Sequence, residues 1–198
     1  MSHYFTNDNN LKSEIREIRY TFKGKQILFK TDSGIFSKDH IDFGSNVLIN
    51  SVEDIGDNIK LLDVGCGYGT IGLTFAKGYP NIIVDLVDIN ERAVNLTELN
   101  KEFNNISNAN AFVSNLYENV NGDYDIILSN PPIRAGKKVV FGVVEGGYNR
   151  LKTNGKIVVV IQKKQGAPSL LKMMEEVYGN VEVINKEKGY FIIQSIKK

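Results

Sequence analysis

Leu61-Leu62-Asp63-Val64-Gly65-Cys66-Gly67-Tyr68-Gly69-Thr70-Ile71-Gly72 is an apolar run of strand length that passes straight into a glycine-rich turn and then a helical stretch. Glycine tolerates positive φ and lets a ligand approach the backbone with no Cβ in the way, and the helix that follows offers free N–H groups. The stretch predicts a nucleotide-sized docking platform at the end of a buried strand. From Ile59 onward the same rhythm repeats: apolar runs alternate with amphipathic segments, the pattern of βαβ units in a parallel sheet. Strands are expected over 60–64, 82–87, 109–113, 124–128 and 156–161, with a helix after each. Between the second and third, Ala93, Leu96, Leu99 and Phe103 recur at near-helical spacing behind Asn90, a suitable N-cap.

The two ends depart from that rhythm. Residues 15–31 alternate around Lys23-Gly24-Lys25 and predict a hairpin, followed by a loop and a short helix through Val47-Leu48-Ile49. After a helix over 169–178, strands at 181–184 and 190–196 flank a turn near Lys188-Gly189, and strands joined so closely pair antiparallel. The expected fold is α/β: a Rossmann-like, seven-stranded mixed sheet, six strands parallel and one antiparallel, with an N-terminal β-hairpin extension. We read residues 1–198 as a single domain, with 1–55 the hairpin and helix extension and 56–198 the ligand-binding core.

At 198 residues, 42% hydrophobic and 24% charged, the chain matches a soluble globular domain. Its net charge of +1 does not suit a surface that grips nucleic acid all over, so RNA contact would come from local patches. One cysteine excludes an internal disulfide, two histidines offer no zinc-ligand spacing, and metal chemistry is not expected. The start, Met1 to Asn10, has no basic or apolar leader pattern and no run is long enough to span a membrane, so a cytoplasmic location is expected.

Gly67, Gly69 and Gly72 also satisfy G-x-G-x-x-G, which in a dehydrogenase holds a pyrophosphate. Asp63 argues otherwise: a carboxylate just ahead of the glycines repels a diphosphate but suits a ligand carrying an ammonium and a sulfonium. Charge complementarity favours S-adenosyl-L-methionine. Asp88, closing the second strand, can accept hydrogen bonds from both ribose hydroxyls, each charge-assisted bond contributing about 1.5–3 kcal/mol. The alternative for Asp88 is a helix-capping or solvated acid. Third comes Asp125-Ile126-Ile127-Leu128-Ser129-Asn130-Pro131-Pro132-Ile133, an apolar strand ending in Asn-Pro-Pro. Prolines remove N–H donors and stiffen the loop, leaving the Asn130 side-chain oxygen and the Pro131 carbonyl as aimed acceptors for a planar NH₂ group. Accepting both hydrogens bends the amine toward tetrahedral geometry and frees its lone pair for in-line attack. Positioning of this kind can supply ~7–11 kcal/mol without a strong base. The bland alternative is a Pro-Pro turn. Cys66, inside the glycine turn with no general base beside it in sequence, reads as a small filler rather than a nucleophile.

Asp63-Val64-Gly65-Cys66-Gly67, Asp88 and Asn130-Pro131-Pro132-Ile133 together resemble the class I methyltransferases that modify exocyclic or amide nitrogens. More narrowly, His3-Tyr4-Phe5, Gly34-Ile35-Phe36-Ser37-Lys38, Asp42-Phe43-Gly44-Ser45 and the segment from Asn130 to Lys137 resemble the single-domain, RsmC-like relatives of the guanine 2-amino methyltransferases of small-subunit ribosomal RNA. That resemblance implies a cofactor set of Asp63, Val64, Gly65, Cys66, Gly67, Asp88, Ile89, Asn115, Leu116 and Asn130, with Asn115 reading the adenine amino group. It implies catalysis by Asn130, Pro131 and Pro132, and a substrate set of Phe36, Ile133, Arg134 and Lys137. Asp42 or Gly44 would touch the cofactor. Ile133 stands where many amino-methylating enzymes carry a base-stacking aromatic residue, and Phe36 is the first candidate to replace it. Arg134, Lys137, Lys138, Lys163 and Lys164 would meet phosphates, and Arg16, Arg19, Lys23, Lys25 and Lys30 of the hairpin offer further positive charge. The implied substrate is ribosomal RNA or the small ribosomal subunit, bound by a monomer or homodimer. Methylation of a protein glutamine or of DNA adenine, and a non-catalytic RNA- or protein-binding module, are the other readings.

Overall fold

The structure is a computed structural model that describes residues 15–32, 40–52, 54–131 and 136–198. The first two strands, β1 (Ile15–Phe22) and β2 (Lys25–Asp32), pair antiparallel across Lys23 and Gly24, both at positive φ, and form a two-stranded sheet of their own. The main sheet contains β3 (Lys60–Val64), β4 (Ile83–Asp88), β5 (Ala109–Val113), β6 (Tyr124–Ser129), β7 (Leu151–Gln162), β8 (Glu182–Glu187) and β9 (Tyr190–Ile196). Its order is β5-β4-β3-β6-β7-β9-β8. β3 to β7 run parallel and β9 is antiparallel to both β7 and β8, so the expected mixed sheet with one reversed strand is what forms.

Five helices cover it: α1 (Phe43–Ser51), α2 (Thr70–Gly78), α3 (Glu91–Phe103), α4 (Lys137–Arg150) and α5 (Ala167–Tyr178). One hydrophobic cluster joins β1 and β2, α1, α2 and Leu96 of α3 to one face of the sheet, and a second joins α4 and α5 to the other. Two strands run several residues beyond their expected bounds. β7 begins at Leu151, which pairs with Tyr124 before the register shifts and resumes at Lys156. The polar Lys152 to Gly155 insert hides that start from a reading based on apolar runs. β8 continues through Asn185-Lys186-Glu187 because β9 supplies hydrogen-bond partners that the polar side chains do not advertise.

In α3 the buried face differs from the expected one. Ala93 and Leu96 are buried, but Leu99 and Phe103 are 38% and 43% exposed, and Thr97 and Asn100 point inward instead. Asn100 and Asn104 replace a missing strand along the outer edge of β2. Asn100 accepts from the Lys30 N–H at 2.7 Å and donates to the Lys30 carbonyl at 2.9 Å. Asn104 does the same for Leu28, at 2.9 and 2.8 Å. Unpaired edge groups would otherwise be sealed from water without partners. Asn100→Ala is expected to lower stability by about 3 kcal/mol, because three backbone groups lose a partner: the Lys30 N–H and carbonyl, and the Tyr68 carbonyl to which Asn100 also donates at 2.9 Å. A urea midpoint equal to that of wild type would show that the clamp holds nothing.

The three hairpin lysines each contact another part of the chain. Lys25 Nζ donates to the Lys77 and Gly78 carbonyls at the end of α2, at 3.0 and 3.3 Å. Lys23 lies over the Tyr79 ring and Lys30 over that of Phe103. Among the described residues no helix is long and apolar enough to cross a membrane.

Candidate active site

Between β3 and β6 the winding of the sheet reverses direction, and the carboxyl ends of strands on either side of such a switch point open a crevice. There lies a cleft of about 560 Å³. Of the residues expected at the site, Val64, Gly65, Asp88, Ile89, Asn115, Leu116 and Pro131 line it. Val87, Ser114, Ser129, Val139 and Val143 line it too, and sequence reasoning did not single them out. Pro132, Ile133, Arg134 and Phe36 lie outside the described residues, as do His3-Tyr4-Phe5 and Gly34 to Lys38.

The glycine turn meets the cleft at Val64 and Gly65. Gly65, Gly67 and Gly69 all have positive φ, and nothing lies within 4 Å of where a Gly65 Cβ would project. Gly65 and Cys66 N–H groups both donate to the Val87 carbonyl, at 2.8 and 3.0 Å. A Cβ on Gly72 would collide with Leu86, so this glycine lets α2 sit close against β4. Asp88 organises the turn: its Oδ2 accepts the Gly67 N–H at 3.0 Å and its Oδ1 the Asn90 N–H at 2.9 Å. Cys66 is buried beside Thr97, and burial pushes its thiol well above the ordinary range, in keeping with a filler. Cys66 and Gly67 thus sit behind the cleft wall, as does Asp63.

Asp63 is fully buried, and its Oδ2 accepts the Gly72 N–H at 2.8 Å. Its Oδ1 has no hydrogen-bond partner among the described residues. Burial pushes this carboxyl up from 3.8 to about 7, the Gly72 bond opposing and the charge of Asp88 adding to the rise. A buried acid with one unsatisfied oxygen fits a cationic ligand that supplies the missing donor and charge. The folded protein holds this proton more tightly than the unfolded chain. The associated stability is therefore complete below about pH 4 and lost as pH rises through about 7. A cation bound here favours the carboxylate, so S-adenosylmethionine binding should release a proton near pH 7 and tighten between about pH 6 and 8. Calorimetry in two buffers of different ionisation enthalpy measures this release, and Asp63→Asn should abolish it. Equal heats in the two buffers at pH 7 would refute the coupling.

Across the cleft, Asn115 donates through Nδ2 to Glu118 Oε1 at 2.8 Å, which turns its own Oδ1 away as an acceptor. Ser129 Oγ donates to the Val64 carbonyl at 2.7 Å and ties the end of β6 to β3. Leu116, at positive φ, packs where a Cβ on Gly142 of α4 would approach its Cδ1 to 2.6 Å. No local pattern signals the last two contacts.

Asn130 follows β6 between the cleft-lining Ser129 and Pro131. Its Nδ2 donates to Asp42 Oδ1 at 2.9 Å and to Ser45 Oγ at 3.0 Å. Among the described residues nothing donates to its Oδ1. Asp42 therefore meets Asn130 and does not line the cleft. Gly44 does not line it either, and packs where its Cβ would stand 3.0 Å from Tyr190 Cε1. Lys137 lines a second hollow of about 560 Å³ beside the first, with Pro131 shared between them.

The profile of the methyltransferase small domain matches residues 26–194, which include the whole arrangement just described. The chain belongs to the methyltransferase small domain family. Within this family it is 44% identical, over 98% of both chains, to a Bacillus subtilis (strain 168) protein, the uncharacterized YbxB. It is 28% identical to the ribosomal RNA small subunit methyltransferase C of Vibrio parahaemolyticus, over 95% of this chain and 54% of that one. In fold it matches the Thermus thermophilus 16S rRNA N2 G1207 methyltransferase RsmC, solved with AdoMet and guanosine. The TM-score is 0.82 at 23% identity, over 93% of this chain and 51% of that one. The chain thus spans about half the length of these named RsmC relatives. An RsmC-like methyltransferase is what the sequence resembles, and the chain carries the methyltransferase small domain.

Proposed function

We propose that this methyltransferase transfers a methyl group to an exocyclic amino group, with the guanine 2-amino group of small-subunit ribosomal RNA as its target. The observation that carries the reading is the Asn130 amide: its nitrogen is committed to Asp42 and Ser45, so its oxygen alone is available, as an acceptor. An acceptor beside the cleft favours a group with hydrogen to donate over a carboxylate, and paired with the Pro131 carbonyl it matches the two hydrogens of an NH₂ group rather than the one of a hydroxyl. When bound, S-adenosylmethionine supplies an electrophilic sulfonium methyl. In this reading Asp63 and the turn from Val64 to Gly67 hold its methionine part, and Asp88 grips the ribose. Ile89, Asn115 and Leu116 flank the adenine. Asn130 Oδ1 and the Pro131 carbonyl accept the two amine hydrogens and turn the nitrogen lone pair toward the methyl, with Pro132 stiffening the loop.

Ribosomal RNA as substrate is supported by the names of the relatives and by exposed cations on the same sheet edge. Lys137 and Lys138 open α4, and Lys163 and Lys164 follow β7. The Lys163 N–H donates to the Gly189 carbonyl at 2.8 Å, which brings exposed Lys188 to the same rim. A cytoplasmic location, with the ribosome, follows from that substrate.

The test is transfer of tritiated methyl to small ribosomal subunits, naked ribosomal RNA and a release factor, with nucleoside analysis of labelled RNA. Label in 2-methylguanosine supports the proposal. Label on a release-factor glutamine moves the enzyme to a protein substrate. Absence of both label and cofactor binding would leave only a binding module.

A further inference from the structure

Asp42 both caps α1 and holds Asn130. Its Oδ1 accepts the Ser45 N–H at 3.0 Å, closing the first turn of the helix, and the same oxygen accepts one Nδ2 hydrogen of Asn130 at 2.9 Å. The second Nδ2 hydrogen goes to Ser45 Oγ at 3.0 Å. These two partners are not equivalent. A serine hydroxyl donates or accepts, so it satisfies either orientation of an amide, whereas a carboxylate only accepts. Reversing Asn130 would set its Oδ1 against the Asp42 carboxylate, lone pair against negative charge. Asp42 therefore chooses the orientation and Ser45 follows.

The support behind Asp42 is rigid. Val47, Leu48 and Ile49 of α1 are buried against the sheet, Ser45 is 4% exposed, and Gly44 fits closely under Tyr190. The contact joins residues 88 positions apart and fixes the entrance of α1 to the end of β6. We infer that Asp42 is the positioning and specificity-determining residue of this site: it locks the Asn130 amide with its oxygen outward and so restricts the acceptor substrate to groups that donate a hydrogen to that oxygen. The inference rests on the amino-group reading of Asn130 proposed above. It gives the Asp42-Phe43-Gly44-Ser45 segment a role toward the substrate amine rather than toward the methyl donor.

The side-chain amide of Asn130 reports the lock directly by ¹⁵N NMR of the whole protein, its signals identified by their loss in Asn130→Asp. In wild type the two Nδ2 protons should be well separated and slow to exchange with solvent. Asp42→Ser retains a good helix-capping side chain but removes the acceptor-only carboxylate. This variant should melt close to wild type while its Asn130 amide protons exchange about tenfold faster or more. Asp42→Asn should fall between the two, and Ser45→Ala should change exchange far less than Asp42→Ser.

In the methyl-transfer assay Asp42→Ser should lower kcat about tenfold with KM for S-adenosylmethionine unchanged, a split that general loosening would not produce. Asn130 signals that ignore both Asp42 variants would overturn the inference even in an active enzyme. Equal losses from Ser45→Ala and Asp42→Ser would overturn it as well. A wild-type protein that shows the lock by NMR, yet methylates only an oxygen acceptor, would instead sink the amino-group reading.

Discussion

Asn130→Ala is expected to lower kcat about a hundredfold, equivalent to ~2.7 kcal/mol of transition-state stabilisation, while Kd for S-adenosylmethionine stays within about twofold. The separation follows from where Asn130 stands. It lies beside the cleft rather than among its lining residues, and both its Nδ2 hydrogens point to Asp42 and Ser45. On the proposed reading, what alanine removes is the acceptor whose bond to the amine strengthens as the nitrogen becomes tetrahedral. An interaction gained chiefly in the transition state appears in kcat, not in ground-state affinity. Stability should change little, since Ser45 still caps onto Asp42 through its own N–H. Steady-state kinetics beside calorimetry decide the matter, and parallel loss of binding and turnover would reassign Asn130 to holding the cofactor.

Asp88→Ala should do the reverse: raise Kd for S-adenosylmethionine tenfold or more, at about 1.4 kcal/mol per factor of ten. Two effects combine. On the proposed reading the ribose hydroxyls lose the carboxylate as their acceptor, and the turn loses its internal brace. Gly67 and Asn90 would each have a buried N–H without its acceptor, at about 1–3 kcal/mol apiece, so a lower melting temperature should accompany the weaker binding. Asp88→Asn retains one oxygen and should recover part of the stability but less of the affinity. Unchanged affinity in Asp88→Ala would leave this residue with a structural role alone, as a cap and brace.

Much of this arrangement was legible because its signals are local. An apolar run followed by closely spaced glycines predicts a strand, a turn and a helix, and the structure forms them at Lys60–Val64 and Thr70–Gly78. The Asn-Pro-Pro stop marks the end of β6, and Asn90 caps α3 as its side chain suggests, accepting from the Arg92 N–H at 3.0 Å. Periodicity misled where a polar side chain has a buried task. Leu99 and Phe103 look like core residues by spacing, yet Asn100 and Asn104 face the hairpin because the β2 edge needs donors and acceptors. The hairpin lysines have contacts that their spacing does not signal: Lys25 donates to the end of a helix, and Lys23 and Lys30 lie over aromatic rings.

By itself the sequence determined the order and direction of the elements, the glycine turn, and the chemical character of Asp63, Asp88 and Asn130, since each depends on residues adjacent in the chain. Tertiary structure alone decided what those groups touch. It set Asp42 against Asn130, buried Asp63 with one oxygen unsatisfied, joined Ser129 to Val64, and let the glycines of α4 take Leu116 and Tyr117 at close range. The reason is physical: a hydrogen bond between distant positions leaves no periodic trace in either segment. An amide also has no preferred orientation until a neighbour that can only accept stands beside it.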